Sequence, residues 1–172
     1  MESGSKSDIV FYKGGKIYQC SMKYGNSFQL SSSMIETNVT ALNEIYKKIA
    51  RGKGSSTDGN TLANIQAVIN DVEAFFPNKY MTKEDVDSLV KHNPNAAALE
   101  ERLIEIIGTK GKDGVGSVYD EFRCAFVEES ITGKLTLKGK PLQIATHILT
   151  EKGLRPITLS LIHISEPTRR KR

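Results

Sequence analysis

Hydrophobic and polar positions first alternate along this chain and then change period. Residues 8–12, Asp-Ile-Val-Phe-Tyr, and 17–23, Ile-Tyr-Gln-Cys-Ser-Met-Lys, are rich in β-formers, with Lys13-Gly-Gly-Lys16 between them. Two adjacent glycines accept the positive φ of the tightest turns, so this stretch predicts a β-hairpin. Gly25-Asn26 is a further break, and residues 28–30 start a third strand or an ordered loop. From there the period is helical. Ile35, Val39, Leu42, Tyr46 and Ile49 recur at steps of three and four, with Ser33 placed to cap the start and Gly52 to end the run. A second helix is expected over 61–76, with Leu62, Ile65, Ile69, Val72 and Phe76 inward and Pro77 as the stop. Thr82-Lys-Glu-Asp85 has the form of an N-terminal cap before Val86, Leu89 and Val90, and Asn93-Pro94 opens a fourth helix carrying Leu99, Leu103, Ile106 and Ile107. Val118, Phe122, Ala125, Phe126 and Glu129 form a fifth stripe. The pattern then predicts a short strand over 134–138 and a last helix over 142–150. The expectation is a helix-rich α+β fold: an N-terminal β-hairpin or small mixed sheet packed by about six helices, in one domain over 1–158 with a helical insertion at about 61–116.

Composition narrows the class. The chain has 172 residues, 38% hydrophobic, with two cysteines and no Trp. No stretch approaches the roughly 18 apolar residues of a membrane span. Met1 is followed by Glu-Ser-Gly-Ser-Lys rather than a basic and then apolar run, so no signal peptide is expected. Cys20 and Cys124 form neither a disulfide framework nor a zinc motif and are expected to be buried thiols in a reducing, cytoplasmic setting.

The net charge of +4 comes mostly from the end of the chain. Residues 159–172 carry Arg169, Arg170, Lys171 and Arg172 against Glu166, which leaves twenty cations against nineteen acids elsewhere. All eleven residues from Leu159 to Arg169 resemble one frame of the translation of a common transposon-type sequencing adapter. Residues 159–172 are therefore expected to be a non-native tail making few contacts, with the native frame interrupted near Thr158 and His163 outside any chemistry.

The hairpin holds the candidate chemistry. A turn centred between Gly14 and Gly15 makes partner numbers sum to 29, so Asp8 faces Ser21. Lys23 is then its diagonal neighbour on the same face, about 7 Å away at the backbone. A carboxylate there can hold a hard divalent ion, Mg²⁺ or Mn²⁺, against a phosphate oxygen. A lysine there can stabilise phosphate charge or orient the attacking water. The same spacing also fits an ordinary solvated pair of charges.

Ser5-Lys-Ser-Asp-Ile9, Gln19-Cys-Ser-Met-Lys-Tyr-Gly25 and Phe28-Gln-Leu-Ser31 together resemble the PD-(D/E)XK, or restriction-endonuclease-like, nuclease superfamily, in its phage-type members. The resemblance implies a partial restriction-endonuclease-like core and Mg²⁺-dependent hydrolysis of DNA. It assigns Asp8 to the metal-binding Asp, Ser21 to the variable acid position and Lys23 to the catalytic Lys. Lys6 and Gln29 are weaker candidates for substrate contact, and Gln29 fits an ordinary polar turn residue better. Ser21 departs from the usual second carboxylate, and the helix that precedes the Asp in that superfamily has no counterpart in residues 1–7. Glu36, Glu128 and Glu129 are the other acids placed to supply a second carboxylate.

The alternative is a non-catalytic phage nucleic-acid-binding or structural protein that keeps the hairpin. Ser21 favours it, and a net charge of about +1 outside the tail argues against strong phosphate binding. A third expectation is a helical interaction module over 61–130. The glycine-lysine loops at 52–60 and 108–116 lack the phosphate-cradle spacing and are expected to be linkers. His92 is expected to act as a helix-end cation, and His147 as a half-buried surface residue.

Overall fold

A computed structural model of the chain describes residues 5–22, 35–52, 59–107 and 117–158. The fold is α+β. Two strands, β1 (Ile9–Lys13) and β2 (Lys16–Met22), are followed by α1 (Ile35–Gly52), α2 (Gly59–Phe75), α3 (Lys83–His92), α4 (Ala96–Ile107) and α5 (Val118–Thr132). A 3-10 turn at Pro141–Gln143 then leads to β3 (His147–Thr150) and β4 (Gly153–Pro156). The chain divides into two compact units. Residues 1–32 and 127–172 form a sheet unit, and residues 33–126 form a helical unit inserted between its two halves. Among the described residues, no helix is long and apolar enough to cross a membrane.

The sheet unit is a four-stranded mixed sheet in the order β1-β2-β3-β4. β1 pairs antiparallel with β2, from Ile9 opposite Cys20 to Lys13 opposite Lys16, which is the register expected from the turn. Gly14 (φ 57°) and Gly15 (φ 74°) supply the two left-handed residues that a two-residue hairpin loop needs. β2 then pairs parallel with β3, Cys20 beside His147 and Met22 beside Leu149, and β3 pairs antiparallel with β4.

This second hairpin corrects the expected last helix over 142–150. Only Pro141–Gln143 is helical, as a 3-10 turn, and residues 147–150 are strand. Ile144, Thr146, Ile148 and Thr150 are β-branched at every second position, which suits a pleated surface better than a helix. The expected strand over 134–138 is a run of turns. Glu129 is the reason. Its carboxylate accepts Leu135 N–H and Thr136 N–H, both at 2.8 Å, and the Thr136 hydroxyl at 2.7 Å. Backbone donors that a ladder would use are thereby taken by the last turn of α5. Gly133 (φ 68°) starts the turn, and a Cβ there would meet Leu137 Cδ1 at 2.6 Å and Lys6 Cγ at 2.8 Å.

Five α-helices form among the described residues, each on an expected stretch. In the helical unit, α1 packs on α2 and α2 on α4. The buried face of α1 is Val39, Ala41, Leu42, Ile45 and Ile49, and that of α2 is Ile65, Val68, Ile69 and Val72. Asn64 Nδ2 donates to Tyr119 Oη at 2.8 Å, tying α2 to the start of α5. Ser117 Oγ accepts Asp120 N–H at 3.1 Å as the α5 cap. His92 Nδ1 meets the Ser88 carbonyl at 2.8 Å in the last turn of α3, the expected helix-end contact.

Thr82 and Asp85 make a reciprocal capping box at the start of α3. The Thr82 hydroxyl, and after it the Thr82 N–H, donate to the carboxylate and hold Asp85 below the ordinary carboxylate range. A depressed folded-state pKa stabilises above the unfolded value and is lost as pH falls through the folded one. The box is thus complete at neutral pH and opens in acid below about pH 4. In an NMR titration, Thr82→Ala is expected to raise the Asp85 midpoint and reduce protection of the first α3 amides. An unmoved midpoint would show that the bonds do not form in solution.

Candidate functional site

Asp8 sits just before β1, where the hairpin ladder loses its regularity. Its N–H donates to the Cys20 carbonyl at 2.9 Å, one residue out of the register that holds from Ile9 to Lys13. Its side chain reaches further along β2, and Oδ2 accepts Met22 N–H at 2.7 Å. The carboxylate thus takes the position of a missing ladder carbonyl and adds one bond to the end of the sheet. It also stands at the carboxyl end of β2, the strand that pairs parallel with β3. Ligands of open α/β sheets gather outside the carboxyl ends of parallel strands.

Asp8 is exposed, and one of its oxygens is free of the Met22 bond. Ser21 is only 2% exposed, in register with the equally buried Ile148. The Ser21 hydroxyl is therefore packed into protein rather than presented to solvent. Lys23, next after Met22 in the chain, and Gln29 lie outside the described residues, as do the expected strand at 28–30 and the tail 159–172. Lys6 is fixed at the backbone, where its N–H donates to Gln143 O at 2.9 Å, and its stem lies over Gly133.

The other acids near the sheet have structural work. Glu129 is buried and supplies both oxygens to residues 135 and 136, and Glu128 pairs with Lys134 at 2.9 Å. Glu36 belongs to the first turn of α1 in the helical unit. Among the described residues, no group of three or more His, Cys, Asp or Glu is gathered as a metal cage. Asp8 together with water and a phosphate oxygen is the kind of sparse oxygen set that suits Mg²⁺, which keeps much of its hydration. Cys20 is fully buried, and burial pushes its thiol pKa up, while Cys124 is half-buried.

One feature of the sheet escaped the sequence reading. Phe11 and Tyr18, cross-strand partners, stack with ring centroids 5.0 Å apart and planes 5° from parallel, and His147 continues the row at 4.9 Å from Tyr18. The register sum of 29 already pairs Phe11 with Tyr18, so the signal was present in the sequence. His147 joins them from a strand rather than from the expected helix.

No protein-family model matches the chain, and no curated protein or solved structure matches it.

Proposed function

We propose that this chain carries the metal-binding corner of a restriction-endonuclease-like nuclease, of the kind found in phage or defence loci, that hydrolyses DNA phosphodiesters. The observation that carries the reading is the Asp8 carboxylate fastened to Met22 N–H at the carboxyl end of β2, one residue before Lys23 in the chain. Asp8 would hold Mg²⁺ or Mn²⁺ through its remaining oxygen. A bound divalent ion supplies Lewis acidity to the phosphate and lowers the pKa of its water. Met22 N–H fixes the carboxylate rotamer, which places the free oxygen without a conformational search. Lys23 would neutralise charge on the phosphate as it develops. The test is Mg²⁺-dependent cleavage of DNA by the full chain, with Asp8→Ala and Lys23→Ala. Each substitution is expected to lower the rate by at least about 100-fold. Undiminished cleavage in both variants would sink the assignment.

The burial of Ser21 favours a second reading, a nucleic-acid-binding or structural phage protein that keeps the hairpin without the chemistry. The two differ in metal binding. A Mn²⁺ titration that broadens the Asp8 and Met22 amide resonances selects the enzyme, and unchanged resonances select the binder.

A further inference from the structure

The sheet carries a second candidate surface that owes nothing to Asp8. Pleat alternation and the observed registers put Ile9, Phe11 and Lys13 on one face with Lys16, Tyr18, His147 and Leu154. On this face lies an open hollow of about 410 Å³, lined by Phe11, Lys13, Gly14, Lys16, Tyr18 and Leu154. Among the described residues its lining is a stacked aromatic pair, an aliphatic side chain and two ammonium groups, with no acid. Among the described residues β1 is an edge strand, with no strand beyond Phe11 on its outer side.

Two electrostatic features point to an anion. Lys13 and Lys16 are directly opposed cross-strand partners, an arrangement in which like charges destabilise a hairpin. Both are exposed, and none of the salt bridges among the described residues uses either. The charge is also segregated by unit. The described residues of the sheet unit carry eight Lys or Arg against four Asp or Glu, whereas those of the helical unit carry eight against twelve. The small net charge outside the tail therefore conceals a basic sheet unit and an acidic helical one.

We infer that this face binds single-stranded nucleic acid, with an unpaired base continuing the Phe11–Tyr18 stack and flanking phosphates held by Lys13 and Lys16. Every base has a π-face, so such stacking is tolerant of sequence and needs the base out of the duplex. Two ammonium groups beside an aromatic platform supply the two contacts a nucleotide offers, ring on ring and phosphate on ammonium. The site holds whether or not the Asp8 corner hydrolyses anything, since none of its residues is shared with that corner.

The test is fluorescence anisotropy of the full chain with a labelled oligothymidylate, run in EDTA so that no metal-dependent step contributes. Duplex DNA of the same length and an abasic oligomer serve as comparisons. The abasic strand reports phosphate-only binding, including any made by the basic residues 169–172. Binding of the single strand is expected to exceed that of the duplex and of the abasic strand. Phe11→Leu is expected to weaken it by roughly 5- to 150-fold. Lys13→Gln with Lys16→Gln is expected to flatten the log–log salt dependence by about 1.4, at about 0.7 per phosphate contact on a single strand. These exposed lysines keep the test valid if the Phe11 variant fails to fold. Abasic or duplex binding as tight as the single strand, an unchanged salt slope, or no binding at all would overturn the inference. So would a dimer that buries the β1 edge and leaves the oligomer unbound.

Discussion

Replacing Phe122 with alanine is expected to cost the helical unit about 3–5 kcal/mol, the range for a large aromatic removed from a packed core. The ring is fully buried and is the largest such side chain among the described residues. It lies one turn beyond Val118 and Tyr119, also buried, in the first turns of α5. Truncation leaves a cavity that helices joined through Asn64 and Tyr119 can only partly close. For a unit of this size the loss corresponds to a fall in melting temperature of more than about 10 °C. Because the chain has two units, amide exchange in α1 and α2 reads the helical unit by itself. Phe122→Leu keeps most of the apolar volume and should cost less than half as much. A melting temperature within about 2 °C of the parent for the alanine variant would mean that the ring is not in the core.

Glu129→Ala should damage the sheet unit by about 3 kcal/mol. Bonds to a charged acceptor are each worth about 1.5–3 kcal/mol, but three on one carboxylate are not additive, and the residues they hold are half-buried rather than dry. The loss lies in the orphaned Leu135 and Thr136 N–H groups more than in the missing side chain. A carboxylate near a helix C-terminus is opposed by the helix dipole, so only these donors justify its position. Glu129→Gln retains an oxygen for Thr136 but turns an amide donor toward Leu135 N–H, and should cost about half as much. The check is urea unfolding together with hydrogen exchange at Leu135 and Thr136. A cost below about 1 kcal/mol for the alanine variant would show that the turns at 133–140 hold themselves.

What could be foreseen from the sequence was local. Lys13-Gly-Gly-Lys16 determined a turn, and the turn determined the pairing of Ile9 with Cys20, because hairpin register follows from loop length alone. The helix stripes were legible for a similar reason, since Val39, Leu42 and Ile49 occupy one face by counting. Ile45 was overlooked because Tyr46, one position on, fits the period almost as well, and the core takes the smaller side chain.

The strands at 147–150 and 153–156 were not legible. Four residues are too few for a clear period. What makes β3 a strand is β2, more than a hundred positions earlier, and β4 then pairs on β3 across the turn at 151–152. The turns at 134–138 were obscured by an interaction that no propensity describes, a helical carboxylate capturing the next segment's donors. For the candidate site, the turn predicts Asp8 opposite Ser21, but the ladder keeps that register only from Ile9 onward, and Asp8 bonds to Cys20 O and Met22 N–H instead. The burial of Ser21 was not legible either, because it depends on β3 lying beside β2. The charge segregation was hidden by averaging over two units whose boundary falls inside α5, between Phe126 and Val127.

The parallel pairing of β2 with β3 also has a consequence in time. Gln19 bonds to Thr146, 127 positions later. A ribosome adding about 5–20 residues per second delivers that partner roughly 6–25 s after the hairpin. Throughout that interval β1 and β2 are a two-stranded ribbon, marginal in water, while the contiguous helical unit has everything it needs to form. The nascent hairpin displays Val10, Tyr12 and Ile17, which remain exposed even in the finished fold, so it is the segment a holding chaperone would meet first. Synthesis slowed between residues 33 and 146 should lengthen that exposure and lower the soluble yield, whereas slowing after residue 158 should not.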